Sequence, residues 1–455
     1  MGSPAWSAEL FVEEACANDP GLVELLAQAL AKSPDLAGGR LEVQAERQRV
    51  SQAGALGDPM VSVGYQNDGF TSLPFGDMPT TYVTLMATQP VTLPGKRDKR
   101  EAVARFDAPR AEARVSRVRL SLEAEVRRGY IELLLVRDQL ALLAEIEALW
   151  QQAEGLAKTR YEVGEGSQSD LLRSQLERSR LVQRRWALEA DERVRVATLN
   201  RLRVANLDEP IVTRAHLSQL GDPPVPTADA ARADALARSP ELAEAALALE
   251  QAKGRVVLAH AEWAPDFSVS AGVMLRGALE PMWQVGFSVP LPIFADRKQS
   301  KVVSEADLRR AVGARSVEGV SQVLLLRTYE RLNALAATVR ANHLYRDGLL
   351  VLSKSAASSA MGQYGVGRAP FASVLDVLNG YLGDQASYLE SMAQAHRLAI
   401  TQTELSLAST ASVGMGVGAG SVPGSGGGEM AKPAAAAQPA AGGGAAAPSS
   451  SGSGM

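Results

Sequence analysis

The chain repeats itself at long range. "ALAKSPDL" at 29–36 returns as "ALARSPEL" at 235–242. After each copy the same order follows: a helical stretch, an X-Pro step (Asp58-Pro59, then Ala264-Pro265), two alternating segments, a proline-marked exit and a very long helical run. A period of about two hundred residues is far too long for a solenoid unit, so the duplication predicts two homologous halves packed with pseudo-symmetry. Any account of the fold must therefore use each element twice.

The alternating segments read as strands. Val61, Val63 and Tyr65 alternate with Ser62, Gly64 and Gln66, and a second segment, "TYVTLMATQP", runs to Pro90. In the second half Phe267, Val269, Ala271 and Val273 alternate with Ser268, Ser270 and Gly272. Their partner puts Trp283, Val285, Phe287 and Val289 on one face and Gln284, Gly286 and Ser288 on the other. Period two with one apolar and one polar face predicts half-solvated strands. Four such strands leave open edges and need further copies to close a barrel.

The helical runs carry heptad seams: Leu122, Val126, Gly129, Leu133, Val136, Leu140 and Leu143 in the first half, and Leu375, Leu378, Leu382, Gln385, Leu389, Met392 and His396 in the second. A continuous helix over 96–160 would span about 100 Å, with Pro109 expected to kink it near its start. Each run turns back at a related motif, "RYEVGEGSQSDLL" and "QYGVGRAPFASVLDVL". Glycine takes positive φ cheaply, so Gly164 with Gly166, and Gly365 with Gly367, predict the tips of two helical hairpins. Ser167 reads as the N-cap of one returning helix and Pro370 as the first residue of the other.

These signals divide the chain into a helical N-terminal segment with the start of the first repeat (1–57), a first strand pair (58–91) and a first long hairpin (95–205). A Pro-rich connection (206–234), the start of the second repeat (235–263), a second strand pair (264–291) and a second hairpin (296–412) follow. The tail at 413–455 is nearly all Gly, Ala, Ser and Pro, too poor in apolar surface to fold.

Several classes of function are excluded. A net charge of −4 with mixed signs gives no footprint for nucleic acid. The four histidines (His216, His260, His343, His396) show no metal-ligand spacing and the single cysteine, Cys16, allows no disulfide, so neither a metal site nor a cofactor is expected. "VGMGVGAG" at 413–420 has no strand before it, and "GEGSQ" joins two helices, so neither is a dinucleotide loop or a nucleophile elbow. No catalytic set can be assembled, and the chain reads as a non-enzyme. The first twenty residues show no signal peptide, and no stretch is long and apolar enough for a transmembrane helix.

Two strands and a helical hairpin with an "RYxxG" tip, occurring twice, resemble the TolC-type outer-membrane efflux proteins of Gram-negative bacteria. The strand-to-helix exits "LPGKR" and "PLPIFADRK" add to the likeness, which covers roughly residues 25–412. The resemblance implies a homotrimer with a mixed α and β fold, in which three copies share a twelve-stranded membrane β-barrel continuous with a periplasmic α-helical barrel. It implies outer-membrane lipid, a periplasmic adaptor and an inner-membrane pump as partners, and small molecules or metal ions as cargo. The competing reading is a soluble antiparallel coiled-coil scaffold.

The resemblance also suggests roles for residues. Trp283, Val285, Phe287 and Val289 would face lipid, with Tyr82 and Trp283 at its interface. Tyr161, Gly164, Gly166, Gly365 and Gly367 would form the docking tips, though a turn with no further role explains them equally. Family members close the periplasmic end with tyrosine, aspartate and arginine links. Tyr364, Asp376 and Asp170 hold matching places here, whereas Arg368 lies one residue early, with Ala369 at the usual position. Arg368 is expected to reach Asp170 across neighbouring hairpins.

Overall fold

The computed structural model describes residues 19–67 and 80–408. Expectations about Cys16, the loop 68–79 and the tail 413–455 lie outside the described residues. The repeated Ser-Pro-acid-Leu motif builds the same joint twice. Ser33 ends α1 (Pro20–Lys32) and caps α2 (Pro34–Gly54), its hydroxyl accepting from Leu36 N. Ser239 does the same between α6 (Ala228–Arg238) and α7 (Pro240–Ala261), accepting from Leu242 N. In both, proline fills the first helical position, where an N–H would have no partner.

Strands β1 (Met60–Gln66), β2 (Tyr82–Val91), β3 (Phe267–Arg276) and β4 (Leu279–Ser288) form one antiparallel sheet in chain order. The central β2–β3 pairing joins the two halves, with Leu85 opposite Val273 and Ala87 opposite Ala271. Val289 falls just past the end of β4 and is half-buried. The next residue is Pro290, which has no N–H to donate to a ladder.

After β2, helix α3 (Lys96–Ala104) gives way to α4 (Asp107–Glu162) across a turn at 105–106. The kink expected near Pro109 is thus a full break between two helices, and residues 96–160 are not one continuous helix. The break is physical: the Pro109 ring would clash with the carbonyl four residues earlier, that of Arg105, so the proline sits in the first turn of a new helix. Helix α4 alone is 56 residues, about 84 Å. It returns as α5 (Gln168–Leu202). Glu154 pairs with Arg178 at 2.7 Å and Glu147 with Arg185, one heptad apart on both helices, which sets an antiparallel register. The second half has α8 (Gln299–Leu344), a π-helical turn (Tyr345–Leu349), α9 (Leu350–Gly365) and the returning α10 (Phe371–Glu404).

The main core runs along α4 and α10. Val126, Leu133 and Leu143 of the first seam are buried, and so are Tyr130, Ile131, Leu134 and Leu142. One heptad seam understated this helix, because α4 packs against α5 on one side and α10 on another. The connection at 206–227 is strapped to the same helix. Arg137 donates to the Ile211 carbonyl at 2.9 Å, while Asp138 receives Ser218 N at 3.2 Å and lies 2.8 Å from His216 Nδ1.

Candidate functional site

The sheet has two chemically distinct faces. Register aligns Val61, Ala87, Ala271 and Val285 across all four strands, with Val63, Leu85, Val273 and Trp283 in the next row. Phe287 stands opposite Val269, its ring 5.2 Å from that of Phe267. The opposite face aligns Ser62, Met86, Gly272 and Gln284. Tyr82 belongs to this second face, opposite Gln66 and donating to its side-chain oxygen at 2.6 Å. It therefore does not share a belt with Trp283, because the two are an odd number of rungs out of phase. Both outer edges, on β1 and β4, lack a partner strand among the described residues.

At the far ends of the hairpins, the two turns are built alike. Gly164 takes φ +79° and donates to the Tyr161 carbonyl at 3.1 Å; Gly367 takes φ +73° and donates to the Tyr364 carbonyl at 3.0 Å. One left-handed glycine per turn is enough. Gly166 serves a different need, since a Cβ there would meet Tyr161 N at 2.9 Å. Gly365 is simply the last residue of α9, with ordinary van der Waals room for a side chain. Ser167 caps α5, accepting from Asp170 N at 3.3 Å. Pro370 is the N-cap residue of α10 rather than its first helical residue.

The turns meet through their side chains. Tyr364 is 2% exposed, packed edge-on against Phe371 with ring centroids 5.3 Å apart. Its hydroxyl donates to Asp170 Oδ2 at 3.5 Å, the outer limit for such a bond. Burial, and then the neighbouring Asp170 charge, push the Tyr364 phenol pKa above its ordinary value. The arginine in this cluster is Arg160, which sequence reasoning did not single out. Its guanidinium lies 5.0 Å from the Tyr364 ring centroid and donates to the carbonyls of Tyr364 and of Glu165. The available signal was the "RY" of the first copy against the "QY" of the second.

Arg368 and Asp376 are exposed, and within the chain neither forms an ion pair among the described residues. The structure thus brings Tyr364 to Asp170 but does not bring Arg368 there. An arginine one residue early is carried on the turn, outside the start of α10, whereas Arg160 on the last turn of α4 points across at Tyr364. Tyr161, by contrast, is 45% exposed. No group of His, Cys, Asp and Glu suited to a metal ion occurs among the described residues.

Residues 25–205 match the family model for outer membrane efflux protein. The nickel and cobalt resistance protein CnrC of Cupriavidus metallidurans is 28% identical over 318 residues, 69% of this chain and 73% of CnrC. The outer membrane protein VceC of Vibrio cholerae superposes with a TM-score of 0.69 at 17% identity, over 88% of this chain and 98% of VceC. The open state of the MtrE outer membrane channel of Neisseria gonorrhoeae gives 0.68 at 18% identity, over 85% and 89% of the two chains. The structural likeness extends the shared fold through both halves.

Proposed function

We propose that the chain is an outer-membrane efflux channel of the kind whose family model it matches over residues 25–205, with three copies forming the exit duct of a tripartite system. The observation that carries this is the sheet: four strands, one continuous apolar face in the open, and two edges without a partner strand among the described residues. An edge of that kind within hydrocarbon must be paired, and a barrel of twelve strands from three chains pairs every edge. The long helices then line a duct through the periplasm of a Gram-negative cell, reaching an adaptor and an inner-membrane pump. Light scattering in detergent should give a trimer; a monomer that stays in solution without detergent would instead support the coiled-coil scaffold.

The apolar face, with Trp283, Val285 and Phe287, is read as facing lipid. Val285→Arg, opposite Ala271 at mid-strand, should cost about 2 to 4 kcal/mol, and Gln284→Arg on the lumen side clearly less. Equal loss of assembled trimer from both would remove the assignment. Cargo is read as small molecules or metal ions. The name of CnrC makes nickel and cobalt the first ions to test, by comparing growth of a deletion strain on each with growth of the complemented strain.

The tips are read as both docking surface and gate. The Tyr364–Asp170 contact holds the hairpins of one chain together, while the exposed Arg368 and Asp376 are free to reach neighbouring chains. Single-channel conductance of Asp170→Ala and Arg368→Ala trimers should rise if these side chains hold the end closed. Unchanged current in both would leave only a turn. Adaptor docking at Gly164, Gly166, Gly365 and Gly367 is tested best by Gly365→Val, because the helix has room for a side chain there. Lost efflux from a normally assembled trimer supports docking, and normal efflux refutes it.

A further inference from the structure

The two halves are equivalent in sequence but not in what covers them. Aligned on Ser33 and Ser239, α2 and α7 run without a gap to Asp58-Pro59 and Ala264-Pro265. The exits correspond as well: Pro90 leads to Lys96-Arg97, and Pro290 to Arg297-Lys298. Within the chain, the first exit docks on the lead-in to the second strand pair. Lys96 is 4% exposed; its ammonium donates to the Ala264 carbonyl and to Asp266 Oδ1 at 2.8 Å. Leu93 N donates to the same carboxylate oxygen at 3.2 Å, and Arg100 lies 3.5 Å from Glu262.

The second exit has no such cover. Leu291, Ile293 and Phe294 are 74%, 79% and 72% exposed, and beside them a 450 Å³ recess opens between the two exits. Arg297 and Lys298 are exposed and form no ion pair among the described residues. Asp58, at the lead-in to the first strand pair, is likewise exposed and unpaired in the same sense. On the adjoining helices, Leu308 and Val312 of α8 and Leu41 of α2 are bare too. The pieces of a second such contact are present in the chain, Asp58 just before β1 and Arg297 with Lys298 beyond β4.

We propose that the second exit is completed by the first-half lead-in of another copy of this chain, so that Arg297 and Lys298 of one protomer surround Asp58 of the partner subunit. This rests on the channel reading, in which β4 of one chain continues into β1 of the next, and it gives that interface a residue-level register. Three features favour a second copy as the occupant. The internal joint supplies a partial template, in which Asp58 holds the place of Ala264, whose carbonyl Lys96 contacts, and Met60 that of Asp266; the free charges are opposite in sign; and the recess is lined by Pro290 to Phe294, directly after β4. A head-to-tail contact of this kind repeats identically from copy to copy and forms a ring where its rotation closes, as the three-fold barrel requires. Burial of Leu291, Ile293 and Phe294 supplies the adhesion, while the exposed ion pair chiefly fixes register.

The test uses the full chain in detergent with Cys16→Ala as background. Chains carrying Asp58→Cys and chains carrying Lys298→Cys are co-expressed and treated with a short-arm bismaleimide. Covalent dimers are expected in the mixture and in neither variant expressed alone, and a single chain carrying both cysteines should ladder to trimer. If native mass is trimeric and no dimer is crosslinked, this joint is overturned while the trimer stands. A monomeric native mass overturns both. As a second measurement, Arg297→Glu with Lys298→Glu should lower the trimer yield, and adding Asp58→Arg should restore it; failure of that rescue also counts against the pairing.

Discussion

The two hairpin tips share a backbone and differ in what they contribute. Each closes its outgoing helix with a single left-handed glycine, Gly164 or Gly367, bonded back to a tyrosine carbonyl. Yet Tyr161 is turned outward, whereas Tyr364 is buried against Phe371 and held by Arg160 and Asp170. The first tip therefore supplies a cation and a carboxylate, and the second supplies the aromatic pair between them. Duplication provided two equal turns, and divergence of a few side chains made them the unequal halves of one contact. Such a contact ties the hairpins of one chain into a unit that moves together.

The largest effect should come from the tyrosines. Tyr364→Ala removes a buried ring and should cost about 3 to 5 kcal/mol of local stability. Tyr161→Ala, at an exposed site, should stay within about 0.5 kcal/mol. Hydrogen exchange of the amides around each turn measures both. Similar protection loss in the two variants would erase the asymmetry.

Arg160 comes next. Arg160→Ala removes a cation over an aromatic face and charge-assisted bonds to two carbonyls, worth about 1 to 3 kcal/mol together. Gln363→Ala, the corresponding change in the second copy, should do little, because the Gln363 side chain bonds back to Ser359 on its own helix rather than across to the other tip. In conductance, Arg160→Ala should open the closed state more than Gln363→Ala does. Equal currents would mean that the guanidinium holds the turn but not the end of the duct.

How far the sequence foretold this depends on the kind of signal. Strand alternation and the Ser167 cap were legible because local periodicity and cap chemistry decide them, as at Val285 and Ser167, whereas the repeated Ser33 and Ser239 were read only as a repeat and not as caps. The faces of Tyr82 and Trp283 were harder, because side depends on register between strands that lie about two hundred residues apart. Arg368 drew attention through its place in a motif, while Arg160 won the contact through position: it stands on the last turn of α4, facing the second tip. A linear pattern does not show which of two arginines points across a gap.

Glycine scanning sharpens the comparison at smaller amplitude. Gly367→Ala forces a side chain into a left-handed conformation at φ +73°, with Arg160 Nη2 only 3.2 Å from the new Cβ. It should cost about 1 to 2 kcal/mol. Gly365→Ala lies in the helix with room to spare and should gain about 0.5 to 1 kcal/mol. Opposite signs in thermal or denaturant unfolding, only two residues apart, separate a backbone requirement from mere helix composition. If both changes destabilise, the second glycine has a contact that the single chain does not make.

The smallest effect is the pH response of the same tyrosine. Burial and the Asp170 charge raise the Tyr364 pKa above its ordinary value of 10.0, against the lowering influence of Arg160. A group whose pKa is raised on folding contributes stability that is complete below its unfolded pKa and is lost as pH rises through the folded one. The Tyr364–Asp170 bond should therefore persist across neutral and mildly alkaline conditions and fail only above pH 10.0, when the phenolate would face the carboxylate. Ultraviolet titration of the wild-type protein against Tyr364→Phe isolates this phenol. A tyrosine lost from the difference spectrum that titrates below 10.0 would show Arg160 to outweigh both Asp170 and burial, and the cluster would then be an arginine–tyrosinate pair in waiting rather than a donor held on a carboxylate. Arg160→Gln in the same titration should move the pKa further up, because it removes the only lowering influence and leaves the other two in place.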